Sequence, residues 1–548
     1  MKPVRRSVFP LIVLSLLLAL VLAPLASQGQ TPDRVHITVL GTTDLHGNIY
    51  PLDYYTDKPD NRGLAKVATL IRRVRAENSN VVLVDSGDTI QGTPLAYYHN
   101  KKNNSPSDPM MLAMSALKFD AMAVGNHEYN FGLDVLGKAR SEAKFPWLSA
   151  NTYKGDETYH QPYIIKEIES VRVGILGLTT PGIPNWENIQ NYKGLEFREP
   201  VSEAKKWVSI LRDKERADVV VIAMHMGLEE DLRTGTVNPS QVANENAAIA
   251  IAKQTSGIDA IFMGHTHRDT PATMINGVVL TQANHWGRHL ARVDLYLQKD
   301  GERWRVYAKS ARTILVDERV SADPEILKLA EPYHTETQAW LSKVIGESAA
   351  ELTATDARFR DTPILDLIQR VQLDVGKADV SMAASFNPRA RIPKGPVTVR
   401  DIAGLYVYEN TLVVLEVTGA QLKEALEHSA RYFRAYEPGK TAAELVDEKI
   451  PAYNFDVAEG VEYELDISKP VGQRIQNLRS RGKPLRSTDK LRLATNNYRV
   501  NGGGGYTMYR DAPVVYRSSD EIRELIIEWV ERNTTIPAEP TNNWRIIP

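Results

Sequence analysis

The sequence predicts an α/β protein. A first domain is built on a sheet that carries a polar site along one rim, and a second, smaller α/β domain follows. Three observations predict this. Apolar runs of strand length recur through the first half, and each delivers polar residues at its C-terminal end. Segments with helical apolar spacing lie between the runs. The length of 548 residues exceeds what one ordinary core organises.

The chain opens with Lys2, Arg5 and Arg6, an apolar run from Val8 to Ala23, and then PLASQGQTPDR. That order predicts a secretory signal peptide over residues 1–30, cut between Ala26 and Gln30. The alternative is a retained anchor, because the run approaches spanning length, but Pro10 and Pro24 shorten it. The expectation is an exported, periplasmic or secreted monomer that leaves the membrane after cleavage. There is no cysteine, which excludes disulfides, thiolate metal ligands and attachment through a lipidated N-terminal Cys. A formal net charge of −2 speaks against a nucleic-acid polymer as partner.

VHITVLGTTD (Val35 to Asp44) reads as a buried strand entering a loop, and LAKVATLIRRVRAE as a helix. NVVLVDSGD, FDAMAVGNHE, VRVGILGLTT, ADVVVIAMHMG and GIDAIFMGHTH repeat the strand-to-loop design. GVVLTQANHWGRHLARVDLYL and RWRVYAKSARTILV read as an antiparallel finish to a domain over residues 31–318. Residues 319–350 read as a helical connector, with Pro324 near its start and Pro332 as a point of kinking or division. The second domain, residues 351–548, carries helices at TPILDLIQRVQLDV and GAQLKEALEHSARYF and strands at LVVLEV, VEYELDIS and KLRLATN.

Five strand ends, TTDLHGN, VDSGD, GNHE, MHMG and GHTH, supply Asp44, His46, Asp88, Asn126, His127, His225, His265 and His267. Each fragment alone is weak, since a Gly-Asp pair is usually a turn and a lone His has many uses. Their shared topological position carries the signal. Oxygen and nitrogen donors without thiolate suit divalent Mn, Zn, Fe, Co or Mg, and their number exceeds the need of one ion. Two divalent metal ions bridged by one carboxylate use them all.

Asp-x-His, Gly-Asp, Gly-Asn-His-Glu, His and Gly-His-x-His, in that order, resemble the motifs of the calcineurin-like metallophosphoesterases. The resemblance implies an αββα sandwich over roughly Val35 to Val316. It implies Asp44, His46 and His267 as ligands of one metal, Asn126, His225 and His265 as ligands of the other, and Asp88 as the bridge. It implies His127 as the catalytic histidine beside the transferred phosphate, and Glu128 as structural support.

The second domain resembles the C-terminal nucleotide-binding domain of exported 5′-nucleotidases and of 2′,3′-cyclic-nucleotide 2′-phosphodiesterase/3′-nucleotidases. Asp53-Tyr54-Tyr55, YNFDVAEGVEYELDIS and ATNNYRVNGGG are similar to the second branch. So is Asn130, which stands where 5′-nucleotidases carry an Asp behind the catalytic His. Asn130 therefore belongs to the expected catalytic set, and Asp134 is a candidate for the missing carboxylate. The resemblance implies hydrolysis of 2′,3′-cyclic nucleotides and 3′-nucleotides in extracytoplasmic salvage, the base held between Phe455 and Tyr498. Asn454, Asp456 and Arg389 are further candidates for substrate contact. The alternatives are a 5′-nucleotidase or UDP-sugar hydrolase sharing every ligand, and a non-catalytic nucleotide-binding or adhesion protein.

Overall fold

The computed structural model describes residues 33–232, 234–237, 242–408 and 410–548; the expected signal peptide lies outside them. The first half contributes β1 (Arg34–Thr42), β2 (Val81–Asp85), β3 (Ala121–Ala123), β4 (Trp147–Leu148), β5 (Tyr163–Ile168) and β6 (Val171–Thr179). Then come β7 (Val219–His225), β8 (Ala260–Phe262), β9 (Asp269–Ile275), β10 (Val278–Ala283), β11 (His289–Asp300) and β12 (Arg303–Leu315). They form two six-stranded sheets, in the orders β12-β11-β1-β2-β3-β4 and β9-β10-β8-β7-β6-β5.

Strand periodicity explains how the sheets stack. On β1 and β2, Val39 and Val82 join Ile37 and Val84 in a core shared with Val173, Ile175, Val219 and Val221 of the other sheet. Their neighbours Leu40 and Leu83 point the other way, onto Leu64 and Ile71 of the helix Leu64–Glu77. On the far side Leu176, Val220 and Ile222 meet Ala204 and Val208 of the helix Pro200–Ser209 and Ile251 of the helix Ala248–Gln254. Strands apolar on both faces thus give an αββα sandwich.

The antiparallel finish divides between the sheets. β10 lies parallel to β8 and antiparallel to β9 in the second sheet, whereas β11 pairs antiparallel with β1 and β12 in the first. The connector also differs from expectation. One helix, Pro324–Leu341, runs through Pro332 without dividing, and Val344–Ser348 is a strand. Val344 and Ile345 are β-branched, and Gly346 packs where a Cβ would meet Val530, so these residues pair with Gly395–Thr398 and Thr535–Ile536 of the second domain.

In that domain the strands Asp456–Glu459, Val380–Ala384, Lys490–Asn496, Thr411–Thr418 and Val514–Glu521 form one five-stranded sheet in that order. Helices Pro363–Gly376, Gly419–Ser429 and Ile522–Asn533 pack with it. Among the described residues no helix is long and apolar enough to cross a membrane.

Candidate functional site

Register brings the strand ends to one rim. In the first sheet Thr42 is level with Asp85, and Val84 with Ala121; in the second, Thr179 is level with His225, and Ala223 with Phe262. Each chain leaves its strand at the same height, and the loops that follow turn sharply. Asp44, His46, Asp88, His265 and His267 all have positive φ, between 47° and 71°, a region that costs a non-glycine residue energy and recurs at functional sites. Backbone bonds secure these turns: Asp44 N–H donates to Gly87 O and His46 N–H to Asp88 O, both at 2.9 Å. Asp44 O accepts from Trp286 N–H at 2.7 Å.

Two ligand groups result. Asp44, His46 and His267 place one donor atom each within 4.8 Å of one another, and so do Asp88, His225 and His265. The rings are held in tautomers that leave one nitrogen of each for a cation. His46 Nδ1 lies 3.0 Å from Gln91 O and His225 Nδ1 lies 2.8 Å from Ser86 O, so each donates to a carbonyl and turns Nε2 inward. Glu245 stands 2.8 Å from His265 Nε2, leaving Nδ1 of that ring for the centre. Asp88 Oδ2 is 2.9 Å from His225 Nε2 and 3.9 Å from both His46 Nε2 and His127 Nε2, the position a bridging carboxylate needs.

The residues fit a pair of cations. His46 Nε2 and His267 Nε2 face each other at 3.1 Å. Asn126 Oδ1 is buried without a hydrogen-bond partner among the described residues, and a buried acceptor in that condition calls for a donor or a cation. Charges point the same way. Burial, with His267 beside it, pushes His46 down to about 3. Burial alone would lift Asp44, but His267 and His225 hold it at about 2. Burial would likewise lower His225, yet Asp88 pulls it up to about 10. A proton on His225 thus neutralises Asp88 where a divalent ion would displace it.

Glu128 supports the loops: its carboxylate accepts the backbone N–H groups of Asp88 at 2.9 Å, Thr89 at 2.6 Å and Gly125 at 2.7 Å. His127 stands over the centre with its Nδ1 2.6 Å from Asn130 Oδ1. The carboxylate behind Asn130 is Glu187, at 2.5 Å from Asn130 Nδ2, and not Asp134, which is exposed on the first turn of the helix Gly132–Glu142. Burial raises the Glu187 carboxyl above its ordinary value, against donors from Asn188, Asn191 and Asn130. Trp186, next in the chain, packs 5.3 Å from the His265 ring. Sequence reasoning missed Glu187 and Glu245 because NWENIQN and ANENA follow no strand-end motif; only the folded loops bring them in.

The substrate face needs a correction. Phe455 is 3% exposed and belongs to the core, stacked 5.1 Å from Tyr432 and edge-on to Phe433 and Trp544. The exposed aromatics are Tyr453, Tyr408 and Tyr498, at 38%, 43% and 43%. A 3-10 turn at Ala452–Asn454 precedes the strand Asp456–Glu459 and rotates Tyr453 outward while Phe455 turns in. Asp456 is also not free for substrate: it is buried and paired with buried Arg499 at 2.8 and 2.9 Å. Arg499 further donates to Asn454 Oδ1 and Tyr453 O, and its guanidinium lies 5.3 Å from the Tyr498 ring, so it holds the tyrosine face from behind. Tyr498 itself stands on that face. Gly504 makes the loop possible, since a Cβ there would fall 2.3 Å from Asn454 Oδ1. Arg389 is exposed, and Arg391 pairs with Glu351 at 3.5 Å.

Comparison with known proteins agrees with this architecture. Residues 37–269 match the calcineurin-like phosphoesterase family and residues 344–511 match the 5′-nucleotidase C-terminal domain. The trifunctional nucleotide phosphoesterase protein YfkN of Bacillus subtilis is 30% identical over 98% of this chain, which spans 40% of that protein's length. A 2′,3′-cyclic-nucleotide 2′-phosphodiesterase/3′-nucleotidase of Haemophilus influenzae is 32% identical over 94% of this chain and 88% of its own. The solved structure of a candidate 5′-nucleotidase from Staphylococcus aureus superposes with a TM-score of 0.78 at 29% identity, covering 93% of this chain and 100% of that one. The chain therefore belongs to the family that joins a calcineurin-like phosphoesterase domain to a 5′-nucleotidase C-terminal domain, and it is an enzyme of the metallophosphoesterase class.

Proposed function

We propose that the protein hydrolyses 2′,3′-cyclic nucleotides to 3′-nucleotides, and 3′-nucleotides to nucleoside and phosphate, as an exported monomer in nucleotide salvage. The observation that carries the reading is the convergence of two ligand groups on Asp88, directly beneath His127. Asp44, His46 and His267 would hold one divalent ion and Asn126, His225 and His265 the other, with Asp88 between them. Bound there, the pair would supply Lewis acidity toward the phosphoryl oxygens and activate a water as nucleophile. His127 Nε2 would stabilise charge on the phosphoryl group or the departing ribose oxygen. Tyr498, Tyr453 and Tyr408 offer flat faces for a base, which stacking accepts whatever its identity.

Phosphate and nucleoside release from 2′,3′-cyclic AMP, 3′-AMP, 5′-AMP and a UDP-sugar, with Mn²⁺ and with chelator, tests the reading. Fast turnover of the first two and loss with chelator is the expected result. Preference for 5′-AMP or the UDP-sugar would keep the metal site and overturn the substrate assignment.

A further inference from the structure

The side chain of Asn130 lies between a ring and a carboxylate, and its two ends are not equivalent. Oδ1 is 2.6 Å from His127 Nδ1, and Nδ2 is 2.5 Å from Glu187 Oε2. An amide can offer imidazole either its acceptor or its donor end, whereas an ionised carboxylate only accepts. Both Glu187 oxygens are committed. Oε1 accepts from the backbone N–H of Asn188 at 2.6 Å and from Asn191 Nδ2 at 2.9 Å. The Asn188 donor is main chain and cannot reverse. Asn191 Nδ2 also lies 3.0 Å from Asn130 O, which ties this loop to the turn carrying His127.

We propose that Glu187 is a positioning residue for His127, acting through Asn130: it holds the amide with Nδ2 toward itself and Oδ1 toward the ring. The proton of neutral His127 then resides on Nδ1, and Nε2 is the atom turned to the phosphoryl group. The inference rests on the reading of His127 given under the proposed function. Asn130 thus relays the orientation to the ring, and the charge stands one residue further back.

Asn188 makes the test sharp. In Glu187→Gln the new side chain has a single acceptor oxygen, and the fixed Asn188 N–H claims it. Its NH₂ group then faces Asn130, whose amide must reverse and donate to His127 Nδ1. Asn130→Asp alone sets two carboxylates face to face. In the double variant Glu187→Gln/Asn130→Asp the new carboxylate accepts from the new amide on one side and from His127 Nδ1–H on the other.

The four metal-loaded full-length proteins are compared in turnover of 2′,3′-cyclic AMP and bis-p-nitrophenyl phosphate, with metal content and thermal unfolding as controls. The histidine ¹⁵N spectrum of the Zn-loaded proteins reports the His127 proton. For Glu187→Gln we expect kcat to fall roughly 10–100-fold at nearly constant KM, with the Nδ1–H signal of His127 lost. Asn130→Asp should fall at least as far. The double variant should exceed both single variants in kcat and regain the Nδ1–H signal. Wild-type kcat in Glu187→Gln, or a double variant no better than either single one, would overturn the proposal. If the wild type hydrolyses no nucleotide, the reading of function falls, while the Nδ1–H signal in wild type against Glu187→Gln still decides the role of Glu187.

Discussion

Glu128 shows how a residue outside the candidate ligand set supports it. Its two oxygens collect backbone N–H groups from Asp88, Thr89, Ile90 and Gly125, and so brace the turn in which Asp88 adopts its positive φ. Glu128→Gln replaces one acceptor by a donor facing fixed donors. It should cost about 1–3 kcal/mol in thermal unfolding and weaken metal binding in a titration. The candidate ligands are legible in the sequence because Asp44, Asp88, Asn126, His225 and His265 each sit within a few residues of an apolar strand end. Glu187 and Glu245 were not legible, because their role arises only when two loops fold over the rim. Phe455 departs from the sequence expectation for a related reason. Pattern marks an aromatic in a family-like segment, but a single 3-10 turn decides that Tyr453 faces solvent and Phe455 the core.

Among the elements, the connector is a docked helix. Asp323 caps it, accepting from Glu325 N–H at 3.0 Å and Ile326 N–H at 3.2 Å and from Arg72 at 2.5 Å, while Ile326, Ala330 and Leu341 are buried. Asp323→Ala should lower stability by about 1–2 kcal/mol, measured by denaturant unfolding, with turnover per folded molecule unchanged. In the second domain the helix Pro363–Gly376 carries Asp366, whose Oδ2 accepts from Thr541 N–H at 2.9 Å while Oδ1 is buried without a hydrogen-bond partner among the described residues. Burial, with Asp361 nearby, lifts its carboxyl to about 8. A carboxyl raised on folding binds its proton more tightly in the native state. Its stabilising contribution is therefore complete below the ordinary Asp range and lost as pH rises through about 8. Asp366→Asn should thus gain stability over wild type on going from pH 5 to pH 8, by up to about 4 kcal/mol at about 1.4 kcal/mol per pH unit. An unchanged difference in melting temperature across that range would contradict the assignment.

Across the whole molecule, polar contacts join the two domains. Gln91 Nε2 donates to Glu521 at 2.8 Å, Arg400 to Tyr54 O at 2.6 Å, and Asn501 Nδ2 to Asn185 O at 3.0 Å. Gln91 also accepts from His46, and Asn185 lies in the loop that carries Glu187, so the second domain touches both supports of the metal face. If the tyrosine face holds the base, Tyr498→Ala and Tyr453→Ala should each raise KM for 2′,3′-cyclic AMP by about 10-fold or more. Hydrolysis of bis-p-nitrophenyl phosphate, which has no base, should be unchanged. Equal losses on both esters would deny the division of labour.

The proposed dinuclear centre turns on Asp88, the carboxylate within 3.9 Å of ring nitrogens from both candidate ligand groups. Metal stoichiometry together with 2′,3′-cyclic AMP turnover, in wild type and Asp88→Asn, decides whether it bridges two ions. Two ions per wild-type chain are expected, and in Asp88→Asn loss of at least one ion with a fall in kcat of at least about 10²-fold. Two ions and undiminished turnover in Asp88→Asn would contradict it.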